Sequence, residues 1–124
     1  MTAVTSGPNF VSFQVRDRQT SARFYEETVG LNRLPDANPA AVVFSAGGTA
    51  FAVRDPFPGT DLDAIAQPGA GIGVWFHNED TDGLHARLVE QGVPIVQELF
   101  DGPFGRQFSF RDPDGYTVTV YSEA

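Results

Sequence analysis

The sequence predicts an α+β fold of two tandem modules, each running strand–helix–strand–strand–strand. Three observations predict it. An alternating apolar–polar run at residues 9–15 is followed by a helix-periodic run at 17–30, and the same succession recurs at 71–77 and 79–92. The offset between the halves is about 63 residues, which is a twofold duplication rather than a solenoid of three or more shorter units. Each helix-like run is then followed by further strand-like segments that fold back at a turn, Gly47-Gly48 in the first half and Asp112-Pro113-Asp114-Gly115 in the second.

In chain order, "NFVSFQV" (9–15) places Val11, Phe13 and Val15 on one face and Phe10, Ser12 and Gln14 on the other, as a half-buried strand does. "DRQTSARFYEETVG" (17–30) reads as a helix capped by Asp17 or Thr20. Ala22, Tyr25 and Val29 share its apolar face, and Gly30 ends it in the left-handed region. "PDANPAA" (35–41) is a connecting loop, and "AAVVFSAGGTAFAV" (40–53) a hairpin. "RDPFPGTDLDAIAQPGAG" (54–71) is rich in Pro and Gly and joins the modules, with "TDLDAIA" as one short helical turn. "GIGVWFH" (71–77) alternates Ile72, Val74 and Phe76 against Gly73, Trp75 and His77. "EDTDGLHARLVEQG" (79–92) is the second helix, capped by Asp80 or Asp82, with Leu84 and Leu88 one turn apart, His85 at its surface and Gly92 as its stop. "VPIVQEL" (93–99) and "RQFSFRDPDGYTVTVYS" (106–122) complete the second set of strands. Module one covers roughly 9–54, a linker 55–70 and module two 71–122, within one domain spanning 1–124.

Composition narrows the function. A chain of 124 residues with 41 % apolar content and eleven Phe can bury a substantial core. The lack of cysteine excludes disulfides, thiolate metal sites and Cys nucleophiles. No apolar run approaches the roughly 18 residues of a membrane helix. "MTAVTSGPNF" lacks the basic start and apolar stretch of a signal peptide, so a soluble, cytoplasmic protein is expected. Sixteen acids against eight basic residues leave a net charge of −8, which disfavours nucleic acid as a partner. Such a charge steers cationic ligands, although its commoner effect is to keep a protein soluble. "FSAGG" and "PGAGIG" lack the Lys and the following helix of a phosphate loop.

The runs "FVSFQVRDRQTSARFYEETVGL", "DTDGLHARLVEQGVPI" and "GRQFSFRDPDGYTVTVY" together resemble the vicinal oxygen chelate superfamily. That group holds glyoxalase I, fosfomycin-resistance enzymes, extradiol dioxygenases and bleomycin-resistance proteins. The resemblance rests on Phe24-Tyr25 ahead of Gly30 and on the DPDG turn before the last strand, and it covers nearly the whole chain outside the two loops. It implies paired βαβββ modules whose curled mixed sheets cup a cavity, with helices on the outer face, and a homodimer.

In metal-dependent relatives the metal is held from cup-facing strand positions, which by this resemblance correspond to Phe10, Gly73 and Thr119. Phe has no lone pair, Gly no side chain, and a neutral Thr hydroxyl is a poor donor beside imidazole or carboxylate. No metal and no cofactor is therefore expected. The cup-facing set, Phe10, Ser12, Gln14, Gly73, Trp75, His77, Thr117, Thr119 and Tyr121, instead suits a flat or aromatic ligand held by stacking and a few hydrogen bonds. Phe57, Phe100 and Phe104 would add edges from loops.

Three readings stay open. One is a metal-independent small-molecule binder of the bleomycin-resistance type, taking an antibiotic or another aromatic ligand. The second is a metal-free isomerase or lyase with His77 as general base and Tyr121 or Gln14 orienting the substrate. The third is a non-catalytic dimeric interaction domain in which the aromatic residues simply pack. Expected partners are a small molecule and a second copy of the chain, with neither nucleic acid nor membrane.

Overall fold

The computed structural model describes residues 3–123. The chain is α+β and divides into two compact units between Leu62 and Asp63. Each unit is one βαβββ module.

The first unit contains β1 (Phe10–Gln14), α1 (Arg18–Arg23), β2 (Asn32–Arg33), β3 (Ala41–Ala46) and β4 (Thr49–Arg54). Its four-stranded sheet has the order β1-β4-β3-β2, with β1 parallel to β4 and the other pairs antiparallel. The register sets Val11 beside Phe51 and Phe44, and Phe13 beside Val53 and Val42. Side chains that face each other across a ladder share a face, so these residues form one apolar surface. Ala22, Tyr25 and Val29, all buried, cover it from the helical segment. The Tyr25 ring lies 4.9 Å from that of Phe51 and 6.4 Å from that of Phe13.

Asp17 caps α1, its carboxylate accepting from the amides of Gln19 at 3.0 Å and Thr20 at 3.2 Å. The Thr20 backbone N–H is the main cause of a carboxyl pKa below the ordinary value. After Arg23 the helix widens into a π-helical turn, Phe24–Val29. There the amides of Gly30 and Leu31 both donate to the Tyr25 carbonyl, at 3.0 and 2.9 Å. Gly30 stops the segment with φ +97°, a conformation that disfavours any Cβ.

The second unit repeats the plan with β5 (Trp75–His77), α2 (Thr81–Glu90), β6 (Ile95–Gly102), β7 (Gly105–Arg111) and β8 (Thr117–Ser122). Its order is β5-β8-β7-β6, again with the first pair parallel. Phe76 stands beside Val120 and Phe108, and Val118 beside Phe110. Leu84 and Leu88 of α2 are buried, and His85 sets its ring edge-on to Phe108 at 5.1 Å. Asp80 caps α2 through the Gly83 amide at 3.0 Å. The DPDG turn is closed by Asp112, whose side chain accepts from the amides of Asp114 and Tyr116 at 2.9 and 3.0 Å. Among the described residues no helix is long and apolar enough to cross a membrane.

Three sequence expectations need correction. The alternation at 71–77 yields a strand only from Trp75. Ahead of it, the amides of Ala70 and Ile72 bond the carbonyls of Gln67 and Gly69 at 3.2 and 3.1 Å, so turns take up Gly71 and Ile72, the first residues assigned to the strand. Ile72 is 73 % exposed and does not pack beneath a helix. Phe100, expected in a loop, lies within β6. The first helix is α-helical only to Arg23, and beyond it the backbone bonds reach five residues back instead of four, as from the Gly30 amide to the Tyr25 carbonyl.

Candidate functional site

In the second unit the face opposite α2 is set by register. Trp75 of β5 pairs with Thr119 of β8, which pairs with Ser109 of β7; His77 pairs with Tyr121, which pairs with Gln107. Thr117 belongs to the same β8 face. Two kinds of surface result.

One is aromatic. Trp75 meets Tyr121 edge-on at 5.8 Å and Phe104 edge-on at 5.6 Å, while His77 meets Tyr121 at 5.3 Å. Phe104 reaches Trp75 from the tight turn between β6 and β7. These rings and Glu123 line an open pocket of about 590 Å³: its walls are Trp75, Phe104 and Tyr121, and its one charged group is Glu123. Trp75 is 43 % exposed, so much of its indole remains available for contact. His77 Nε2 lies 3.6 Å from Glu123 Oε2 at the rim.

The other is polar and buried. The Ser109 and Thr119 hydroxyls bond each other at 2.8 Å. Gln107 is 8 % exposed, and its Oε1 is a buried acceptor with no hydrogen-bond partner among the described residues. A Cβ at Gly102 would come within 2.9 Å of that oxygen and 3.0 Å of the Phe100 ring, so the glycine makes room for the Gln107 side chain. An unpaired buried acceptor costs about 1–3 kcal/mol, which a donor arriving with a ligand or a water would recover.

In the first unit Phe10, Ser12 and Gln14 stand beside Ala50, Ala52 and Arg54, on the sheet face away from α1. Phe10 is 55 % exposed. Gln14 accepts from the Phe57 amide at 2.8 Å, and the Arg54 guanidinium lies 3.6 Å over the Phe57 ring. Gln14 therefore anchors the loop that follows β4.

Of the residues singled out by sequence, Trp75, His77, Thr117, Thr119 and Tyr121 fall on one face of the second unit, and Phe10, Ser12 and Gln14 on one face of the first. Gly73 lies outside β5, and a Cβ there would approach the Trp75 indole nitrogen at 3.4 Å, so its smallness leaves space beside Trp75. Sequence reasoning missed Gln107, Ser109 and Glu123. The first two had a signal, since "RQFSF" alternates as clearly as β8 does. Glu123, just past the last strand, had none.

The metal held by some relatives does not suit these residues. Phe10 and Gly73 offer no donor atom, and the Thr119 hydroxyl is engaged with Ser109. Among the described residues no three His, Cys, Asp or Glu side chains gather as a metal-binding group.

Comparison with known proteins agrees with the architecture. The family described as Glyoxalase/Bleomycin resistance protein/Dioxygenase superfamily matches residues 7–120. Metallothiol transferase FosB of Shouchella clausii (strain KSM-K16) is 26 % identical over 121 residues, covering 96 % of this chain and 82 % of that protein. Among solved structures, TnmS3, an antibiotic binding protein from Streptomyces sp. CB03234, superposes with a TM-score of 0.78 at 28 % identity, covering 99 % of this chain and 100 % of that one. A glyoxalase/bleomycin resistance protein from the same organism superposes with a TM-score of 0.73 at 29 % identity, covering 93 % and 99 %.

Proposed function

The chain belongs to the Glyoxalase/Bleomycin resistance protein/Dioxygenase superfamily, and from that premise we propose that it binds an aromatic small molecule, such as an antibiotic, without a metal. The observation that carries this reading is the pocket walled by Trp75, Phe104 and Tyr121. Its volume of about 590 Å³ is that of a site for a drug-sized ligand. Its edge-on rings leave aromatic surface for a flat ligand to stack on. The likeness to TnmS3 supports the same reading.

Polar groups refine it. Glu123 beside the rings, on a chain of net charge −8, favours a cation over an anion. Gln107 Oε1 and the Ser109–Thr119 hydroxyl pair lie on the same sheet face, where a ligand N–H or O–H would find an acceptor. The proposal includes a homodimer, with exposed apolar residues such as Phe10 and Ile72 covered by the second copy; sedimentation at the single-chain mass would remove that part.

Trp75 is the only tryptophan, so its emission reports on the site alone. Titration with size-matched polycyclic aromatics, cationic, neutral and anionic, is expected to give saturable quenching, tightest for the cation. An unchanged emission across the panel would count against the site. His77 within 3.6 Å of Glu123 favours a second reading, general-base catalysis. Bound ligand recovered chemically unaltered supports the binder; a product whose formation requires His77 would make the protein an enzyme.

A further inference from the structure

The first unit has a second pocket, remote in character from the aromatic one. It measures about 270 Å³ and is lined by residues that include Arg18, Gln19, Arg33, Asp36, Asn38 and Pro39. β2 sets Arg33 beside Phe44, so Arg33 shares the sheet face that carries α1, opposite Phe10, Ser12 and Gln14. Arg18 opens α1 itself. Two of the chain's eight basic residues, all of them arginines, thus converge on one small cavity.

Both guanidiniums are only partly engaged. Arg18 bonds Asp55 through one nitrogen. Arg33 reaches Asp36 through one nitrogen at 3.4 Å, a long contact to a largely exposed carboxylate. Their remaining N–H groups have no hydrogen-bond partner among the described residues. A guanidinium presents paired donors that match a planar carboxylate, and one long single contact leaves that match unused. The exposed Arg33–Asp36 pair contributes little stability, so displacing Asp36 costs little. Around the two cations the loop is shaped: Asn38 accepts from the Ala40 amide at 2.8 Å, and Ala37 and Pro39 give the pocket a small apolar wall.

We propose that this pocket is a second ligand site, which takes a small carboxylic acid as its anion, with Arg33 and Arg18 holding the carboxylate and Ala37 and Pro39 touching its apolar body. The ligand carboxylate replaces that of Asp36 on Arg33. Asp36 therefore acts as an internal competitor, and it sets the affinity without touching the ligand.

The test is an NMR titration of the full chain with sodium benzoate, following the side-chain amides of Gln19 and Asn38 and the Arg33 Nε–H, with benzamide as the uncharged control. Benzoate is expected to shift these signals saturably and benzamide to leave them in place. Arg33→Gln is expected to weaken benzoate binding by about tenfold or more, as loss of a charge-assisted pair does. Asp36→Asn is expected to tighten it severalfold, because the competitor is gone. Equal shifts from benzamide, or weaker binding by Asp36→Asn, would overturn the proposal. Should Arg33→Gln fail to fold, Asp36→Asn decides alone, since it changes only an exposed side chain. Trp75 emission reads the other pocket separately, so failure of one site does not decide the other.

Discussion

Phe51→Ala is expected to lower stability by about 3–5 kcal/mol, the usual loss for a fully buried Phe. Phe51 is 1 % exposed and sits at the hub of the first unit's aromatic core. Its ring lies 5.0 Å from Phe13, 4.9 Å from Tyr25 and 6.3 Å from Phe44. Truncation removes contact with all three, on β1, on the π-helical turn and on β3, so no single element can close the cavity. Of the three, the Phe13 pair is edge-on, and such a pair adds about 0.5–1.5 kcal/mol beyond area burial. Against a typical total of about 5–15 kcal/mol, the loss brings the unit close to unfolding. Urea denaturation followed by far-UV circular dichroism is the readout, because the single tryptophan lies in the second unit. A loss below about 1 kcal/mol, the scale of a surface substitution, would contradict this account of the core.

Trp75→Ala has the largest expected effect on binding, a loss of about 10- to 100-fold for an aromatic cation, from the apolar area and stacking that an indole supplies. The indole touches both other rings of the pocket, at 5.6 and 5.8 Å, so its removal also releases Phe104 and Tyr121 from their shared packing. Phe104→Ala should weaken binding less, since that ring is the more exposed and meets only Trp75 among the aromatic contacts described. Calorimetry measures both variants, as the fluorescent reporter is lost in one of them. Unchanged affinity in Trp75→Ala would remove stacking from the account.

Much of this architecture is legible in the sequence where one face of a strand is buried. Phe13 and Val15 of the first module and Val118 and Val120 of the last strand are all buried as their alternation requires. Asp17 and Asp80 cap the helices they precede. The same pattern misleads at Ile72, because alternation records which residues would share a face but not whether a ladder partner exists. The π turn escapes notice because Tyr25 and Val29 fit an α-helical stripe equally well.

The site is less legible, for a physical reason. Its walls are brought together by register across three strands and a tight turn, and no local period encodes that Tyr121 stands between His77 and Gln107. Strand alternation does identify Trp75, Thr119 and Tyr121 as sharing a face. It does not single out Gly102, whose missing Cβ makes room for Gln107. The convergence of Arg18 and Arg33 likewise comes from the packing of α1 on the sheet face that carries β2 rather than from spacing.

The central claim is that this chain binds its ligand through aromatic and polar side chains and not through a metal. Elemental analysis of tag-free protein after dialysis against Zn²⁺, Mn²⁺, Ni²⁺ and Fe²⁺ tests it most directly. The account predicts substoichiometric metal in every case, because Phe10, Gly73 and the Ser109-bonded Thr119 hydroxyl supply no suitable donor set. One tightly held metal per chain would contradict it, and would direct attention to His77 and its carboxylate neighbour Glu123 as the start of a metal site.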